Sequence, residues 1–204
     1  MATESGVAVT AFEPLLGLLA DVPDPRRGQG QVYKLPYVLL FSILAIVTGC
    51  NSYRGIVTFI DVHRHTLNAT FDLKWRRAPA YTAVRYILKR LDPADVEVAF
   101  RRHAAVLQAA RSTPGTGSIA LDGKTLRGSF DNFNDRVAAQ VLSAFATDTS
   151  LVLAHVDIDE KSNEIPAAQT LLAELGVAAG SVVTLDALHC QKNISRSPRK
   201  PTSP

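Results

Sequence analysis

The stretch VLSAFATDTSLVLAHVDI, residues 141–158, decides the fold class of the second half of this 204-residue chain. Two apolar runs, residues 141–146 and 151–158, flank the polar segment TDTS, a pattern that is typical of two strands joined by a tight turn. Upstream of them, SIALD at residues 118–122 predicts another short, buried strand. Together the three segments predict an antiparallel meander.

Residues 166–185 add a helix and a fourth strand to this pattern. Residues 166–175 predict a helix that begins at Pro166 and ends before Gly176, and SVVTL at residues 181–185 predicts the strand. The order strand, strand, strand, helix, strand indicates an α/β unit, in which a right-handed crossover follows the meander.

The first 111 residues have the apolar spacing that is typical of helices. Pro14 is expected to interrupt the first helix early, and Gly49 to end the second. The segment STPGTG predicts a linker, which separates a domain at residues 1–111 from a second at 112–192 and a tail at 193–204. The five predicted helices cover residues 12–20 and 36–49, a segment capped by Asn51 or Ser52, residues 79–91, and residues 94–110, which Asp92 caps.

Composition argues against several classes of protein. Hydrophobic residues make up 47% and charged residues 20% of the chain, which is close to globular averages and argues against wholesale disorder. Two cysteines, Cys50 and Cys190, are too few for a disulfide framework and are typical of reduced cytosolic thiols. The apolar run at residues 38–47 is shorter than the roughly 20 residues of a membrane span, so it predicts a buried core helix. No signal peptide is visible, and we expect a cytoplasmic protein with no membrane partner.

Charge is distributed unevenly along the chain, whose formal net charge is +3. Residues 1–111 contain 14 basic and 9 acidic side chains, whereas residues 112–192 contain 5 basic and 10 acidic ones. The tail NISRSPRKPTSP has 3 basic and no acidic residues, so the overall basicity comes from the tail. The contrast between a basic first part and an acidic second part indicates two different roles.

Two carboxylates occupy equivalent places in the predicted sheet. Asp122 lies at the end of the first strand, and Asp186 directly follows the fourth. If these strands are neighbours, both carboxylates project from one edge and share hard cations such as Mg²⁺. Two such ions about 3.5–4 Å apart activate the attacking oxygen and stabilise the leaving oxygen in phosphodiester chemistry. The alternative is that each aspartate caps a loop or a helix.

Longer motifs resemble a known family. The N-terminal domain associated with ISAs-type (H-repeat-associated) insertion-sequence transposases is similar to LADVPDPRRGQGQVYKLPYVLLFSILAIVTGCNSYRGI. The catalytic domain of the same family resembles LDGKTLRGS, the strand pair after it, DEKSNEIPA and DALHCQK. The resemblance covers about residues 12–192, nearly the whole chain.

This resemblance implies a DNA transposase with a helical N-terminal domain and an RNase H-like mixed sheet, of which the chain holds the first four strands. It implies an Asp–Asp–Glu site that cuts and rejoins double-stranded DNA at element ends and target with Mg²⁺ or Mn²⁺. Asp122 is the first catalytic carboxylate and metal ligand in that pattern, and Asp186 is the second. A homo-oligomer or a full-length transposase is a further expected partner, and the bound protein is expected on the nucleoid.

The third carboxylate, a glutamate on a later helix in the family pattern, has no counterpart in this sequence. After Lys192 the chain reads NISRSPRKPTSP, whose three prolines predict neither a helix nor a buried strand. The simplest hypothesis is a frameshift or deletion after Lys192. We therefore expect weakened metal binding and little strand transfer by this chain alone. A non-catalytic DNA-binding regulator or inhibitor of transposition, and a decayed product that folds poorly, are the alternatives.

Other residues near the two aspartates are candidate substrate contacts. Lys124 and Arg127 follow Asp122 closely, and basic side chains beside a metal site commonly contact substrate phosphate. A solvated turn explains these two residues equally well. Glu164 is a candidate participant, although a favourable charge at a helix N-terminus explains it more simply. His189 is predicted to contact substrate or to orient Asp186, and a structural role explains it equally well. A zinc site at His189 and Cys190 lacks a second ligand pair.

Basic groups in the first domain are candidate contacts to the DNA backbone, because phosphate neutralisation is the main sequence-independent contribution to DNA affinity. A solvated helix face is the alternative for each group. His63 and His65 are expected at the surface, and no Walker loop indicates ATP chemistry. The candidate backbone contacts are Arg26, Arg27, Lys74, Arg76 and Arg77, with Trp75 inside the last group, and also Arg101 and Arg102.

Overall fold

The computed structural model describes residues 4–111, 117–126, 140–158, 164–177 and 181–185. These residues belong to two compact units, Met1–His103 and Ala104–Pro204. None of the helices in these ranges has the length and apolar character that a membrane span requires.

The first unit is helical, as the apolar spacing predicts. Its helices are α1 (Glu4–Ala20), α2 (Leu35–Val47), α3 (Tyr53–Phe71), α4 (Tyr81–Arg90) and the first part of α5 (Pro93–Arg111), with a short 3₁₀ turn at Gly28–Gly30. The expectation that Pro14 interrupts the first helix was wrong, because α1 continues through it. Burial of Leu19 and the packing of neighbouring leucines offset the backbone hydrogen bond that proline removes.

The predicted helix ends are confirmed where a local signal sets them. Gly49 follows α2 with a φ of +98°, a conformation that glycine adopts without strain. Ser52, and not Asn51, caps α3: its Oγ accepts a hydrogen bond of 3.1 Å from the backbone N–H of Gly55. Asp92 caps α5, since its Oδ1 accepts a hydrogen bond of 2.9 Å from the N–H of Ala94. These signals act within one helical turn.

An aromatic cluster forms the centre of the helical unit. Phe41 is fully buried on α2, and its ring centroid lies 5.4 Å from that of Phe71 and 5.3 Å from that of Trp75. Tyr37 and Phe12 pack against the same group. The apolar run at residues 38–47 is confirmed as a core helix, because Val38, Leu40 and Phe41 have no exposed surface.

The second unit contains the predicted order of strands and helix. Its elements are β1 (Ser118–Thr125), β2 (Gln140–Ala146), β3 (Leu151–Ile158), α6 (Glu164–Glu174) and β4 (Val182–Leu185). The sheet order is β3-β2-β1-β4, with β1 antiparallel to β2 and parallel to β4. β2 and β3 are also antiparallel. Because β3 and β4 lie at opposite edges of this sheet, the chain crosses from one edge to the other through α6.

Several predicted boundaries in this unit differ from those of the structure. β1 continues beyond residue 122 to Thr125, because β2 supplies pairing partners for those residues. α6 begins at Glu164, and Pro166 lies in its first turn, where a missing N–H costs no helical hydrogen bond. β4 begins at Val182. One face of the sheet is buried with α6, and Leu142, Ala144 and Leu171 form its centre.

Candidate functional site

Asp122 lies within β1 and its carboxylate is accessible. Its side chain is 60% exposed, and Oδ2 lies 3.1 Å from Nζ of Lys124. The two residues are two positions apart on a strand, so their side chains lie on the same face of the sheet. The structure thus brings together the first predicted metal ligand and one of the predicted substrate contacts.

The strand register adds two residues that the sequence reasoning missed. Asp122 is paired with Ser143 on β2, and Ser143 is paired with His155 on β3. Directly paired residues project to the same face of a sheet, so the three form a polar row on the face opposite Leu142 and Ala144. The alternation of side chains in VLSAFA and LVLAHVDI assigns Ser143 and His155 to one face of their own strands. The register of β1, β2 and β3 is needed to show that they align with Asp122.

The neighbouring parallel strand leads toward the second predicted ligand. Leu121 is paired with Leu185, the last residue of β4. In the sequence, Asp122 directly follows Leu121 and Asp186 directly follows Leu185. The condition on which the shared metal site rested, that these two strands are neighbours, is therefore met.

Several predicted site residues lie outside the described residues, namely Asp186, Arg127, His189 and Cys190. Glu164 is the first residue of α6, which is the position that the simpler explanation assigns to it. In the ranges that the structure describes, no three His, Cys, Asp or Glu side chains form a metal-binding group. The roles of these residues remain predictions.

Arg26 shapes a loop of the helical unit. Its side chain is only 6% exposed, and its Nη2 lies 2.7 Å from Oδ2 of Asp24. Nε donates to the other carboxylate oxygen, Nη1 to the carbonyl of Gly30 and Nη2 also to the carbonyl of Tyr33. The hydrogen bond from Arg26 holds the pKa of Asp24 below its usual value of 3.8. Internal contacts therefore occupy Arg26, whereas Arg27 is exposed.

This difference makes a matched test at neighbouring arginines. R26A is expected to destabilise the helical unit by about 2 kcal/mol, since it removes charge-assisted hydrogen bonds and leaves the Asp24 carboxylate without its partner. R27A is expected to change stability by no more than about 0.5 kcal/mol. Urea unfolding followed through the fluorescence of Trp75, the single tryptophan, measures both. Because pairing lowers the Asp24 pKa, its contribution is present above pH 3.8 and is lost as the pH falls through the lowered pKa. Equal stabilities of the two variants at pH 7 would contradict this role for Arg26.

The KWRR loop, defined as residues 74–77, is anchored from inside. The Trp75 ring packs edge-on against Tyr33 at a centroid distance of 4.7 Å. Nδ2 of Asn68 donates to the carbonyl of Trp75 at 2.9 Å, and the N–H of Trp75 donates back to Oδ1 of Asn68. Nη1 of Arg64 donates to the carbonyl of Arg76 at 2.8 Å. The loop therefore holds a set conformation while Lys74, Arg76 and Arg77 remain exposed.

Tyr33 connects the two basic loops. Its backbone carbonyl accepts a hydrogen bond from Arg26, and its hydroxyl shares its one proton between the carbonyl oxygens of Arg77 and Ala78, at 3.2 and 3.3 Å. The predicted backbone contacts at Arg27 and at the KWRR loop thus belong to adjacent segments of one unit. By contrast, the other two predicted backbone contacts form ion pairs with acidic side chains. Nε of Arg101 lies 2.7 Å from Oε1 of Glu97, and Nη1 of Arg102 lies 3.3 Å from Oδ2 of Asp21.

The predicted surface positions of His63 and His65 are confirmed. His63 and His65 both lie exposed on α3. The ring of His63 lies 4.6 Å from that of Phe59, a contact that holds it against the helix surface.

Comparison with known proteins gives the family. The family described as DDE_Tnp_1-associated matches residues 16–104. The chain is 33% identical over 189 residues to the "H repeat-associated putative transposase YhhI" of Escherichia coli K12, covering 93% of this chain and 49% of that protein. It is 30% identical over 189 residues to the "H repeat-associated putative transposase YbfD" of the same strain, covering 93% of this chain and 73% of that protein. No solved structure matches.

The chain belongs to the family of H repeat-associated transposases. This confirms the resemblance found in its motifs. The chain spans about half the length of YhhI and about three quarters of the length of YbfD.

Proposed function

We propose that this chain acts as a DNA transposase of an insertion sequence and that its α/β unit is RNase H-like. The reaction is hydrolysis and transesterification of DNA phosphodiesters with Mg²⁺ or Mn²⁺. Relatives named as transposases support the reaction class. The sheet order β3-β2-β1-β4, in which only β1 and β4 pair in parallel, supports the fold. We place this activity in the bacterial cytoplasm, on the nucleoid.

The pairing of Leu121 with Leu185 is the observation that carries the proposal. In the sequence, the residues that follow this pair are Asp122 and Asp186. In neighbouring parallel strands, the residues that follow a pair are expected to lie side by side as well. We assign these two carboxylates as the metal ligands. Asp122 and Asp186 would hold a divalent ion there, which would supply charge neutralisation at the scissile phosphate and activation of the attacking oxygen.

The donor set on β1 fits a hard divalent cation. Asp122 offers exposed carboxylate oxygens, which are the ligands that Mg²⁺ prefers. Nζ of Lys124, 3.1 Å from Oδ2 of Asp122, offsets part of the charge of that carboxylate and is a candidate contact to the DNA phosphate. Ser143 and His155 continue the same row and provide hydrogen-bonding groups beside the substrate.

The chain supplies two of the three carboxylates that the family pattern requires. Residues 187–204 contain no Asp or Glu. Two metal ions in a defined geometry need more ligands than two aspartates provide. We therefore expect the 204-residue polypeptide to bind metal weakly and to catalyse little strand transfer in Mg²⁺ by itself.

Metal binding tests the assignment of Asp122. Mn²⁺ titration followed by electron paramagnetic resonance is expected to show a site in the wild-type chain whose affinity falls at least about tenfold in D122N, because a charged ligand is lost. D148N is the matched control, since Asp148 is exposed in the β2–β3 turn, and the same charge change there leaves binding intact. Equal Mn²⁺ affinities for wild type and D122N would contradict the site. Efficient cleavage of element ends by the wild-type polypeptide in Mg²⁺ would contradict its low activity.

A non-catalytic DNA-binding regulator is a second candidate function. The anchored KWRR loop, whose three basic side chains are exposed, favours it. Such a regulator occupies element ends or pairs with full-length transposase. Salt-dependent binding of double-stranded DNA without cleavage, together with inhibition of added full-length transposase, would identify this role.

A further inference from the structure

A second basic surface lies on α4, directly after the KWRR loop. Residues 73–91 contain six basic side chains and no acidic one, although the whole chain has 22 basic and 19 acidic residues. Three of the six belong to the loop, and the other three, Arg85, Lys89 and Arg90, belong to α4. The concentration of positive charge in this segment complements a polyanion.

α4 has one buried side and one exposed side. Val84 and Ile87 are buried in the core of the helical unit, and Leu88 packs beside them. At 3.6 residues per turn, the polar positions fall together on the opposite side of the helix. The exposed side chains of this α4 face are Tyr81, Thr82, Arg85, Tyr86, Lys89 and Arg90.

Contacts within this α4 face position some of its side chains and leave others available. The guanidinium of Arg90 lies over the ring of Tyr86, 4.7 Å from the centroid, and that of Arg54 lies 5.4 Å from the centroid of Tyr81. None of the ion pairs in the described ranges involves Arg85 or Lys89. The guanidinium of Arg85 and the ammonium group of Lys89 are therefore exposed and available to hydrogen-bond a ligand.

We propose that α4 lies in the major groove of double-stranded DNA, where Arg85 and Lys89 read base edges while the KWRR loop holds the phosphate backbone. This inference rests on the proposed function, because it takes DNA as the partner. The 10 residues of α4 form a helix of about 15 Å, and the major groove, about 12 Å wide, admits a helix. Arginine and lysine make the commonest specific contact there, to O6 and N7 of guanine.

Selection from a random pool of 30-base-pair DNA duplexes, followed by sequencing, is the first experiment with the full chain. Wild type is expected to enrich a guanine-containing motif. Fluorescence anisotropy then compares the affinity for that motif with the affinity for a scrambled duplex of equal composition. R85A is expected to lower the ratio of the two affinities by about tenfold or more, the discrimination that one bidentate base contact provides.

Two further variants separate base reading from charge. R85K keeps the charge but loses the planar fork of donors, so it is expected to retain affinity for the scrambled duplex and lose discrimination. K34A removes an exposed basic side chain that lies outside both α4 and the KWRR loop, and it is expected to leave discrimination unchanged. These side chains lie at the surface, so thermal unfolding is expected to match that of the wild type, which shows that the variants are folded.

Each failure has a separate meaning. If the wild-type chain binds no duplex, DNA binding by this chain fails, and the α4 inference fails with it. If it binds and discriminates but R85A and R85K discriminate equally well, only the α4 inference is overturned. Wild-type binding without sequence preference, or equal binding of an RNA duplex of the same sequence, also overturns it, because the major groove of A-form RNA is too narrow for a helix.

Discussion

Phe41→Ala is expected to destabilise the helical unit by about 3–5 kcal/mol, a large fraction of the roughly 5–15 kcal/mol that stabilises an ordinary domain. Phe41 is fully buried and contacts the rings of Tyr37, Phe71 and Trp75, so its truncation opens a cavity among side chains from three parts of the unit. Rigid aromatic neighbours on helices relax little into such a space. The lost burial and the cavity therefore add together.

Urea unfolding followed by Trp75 fluorescence measures this loss in the helical unit, because the α/β unit contains no tryptophan. F41L leaves a smaller cavity and is expected to lie between wild type and F41A. V62A is the control: Val62 on α3 is 70% exposed, and its truncation is expected to change stability by no more than about 0.5 kcal/mol. An F41A midpoint equal to that of V62A would show that the aromatic cluster does not carry the fold.

The triple variant K74A/R76A/R77A is expected to weaken binding of any DNA duplex about 10²–10³-fold at 50 mM salt. Each phosphate contact releases a counterion and contributes about 0.9 to the slope of log K against log salt, so three lost contacts flatten that slope by about 2.7. The loop keeps its conformation in this variant, because Trp75 is retained and Asn68, Arg64 and Tyr33 bind its backbone. The loss is then one of charge and not of structure.

Anisotropy titrations at several salt concentrations give both the affinity and the slope. K74R/R76K/R77K is the matched control, since it exchanges the side chains but keeps all three charges, and it is expected to retain the wild-type slope. A triple-alanine variant with an unchanged slope would remove the loop from the DNA interface. In that case the Mn²⁺ measurement at Asp122 would stand unaffected, because it concerns the other unit.

Local patterns predicted most of the secondary structure. Alternating and helical spacing identified four strands and six helices in order, and Gly49, Ser52 and Asp92 marked helix ends. These signals depend on groups within four residues of one another. Two of the misplaced boundaries, at Pro14 and at the end of β1, lie where distant packing or a pairing strand outweighs the local preference.

The roles of individual basic residues depended on the tertiary structure. Arg26 and Arg27 are equivalent in the sequence, yet one is enclosed by Asp24 and two carbonyls and the other is exposed. In the sequence, the KWRR loop is a short run of basic residues. In the structure, its backbone is held by a hydrogen bond from Tyr33, which is 44 residues away from Arg77. Charge alone does not distinguish a structural arginine from one available to a ligand.

The sequence by itself determined the family, the order of elements and the contrast between a basic helical part and an acidic α/β part, because motifs and local spacing record these directly. Only the tertiary structure decided that β1 and β4 are neighbours, that Ser143 and His155 share a row with Asp122, and which side of α4 is exposed. Strand pairing and burial join residues far apart in the chain, so they are properties of the folded arrangement and not of any one segment.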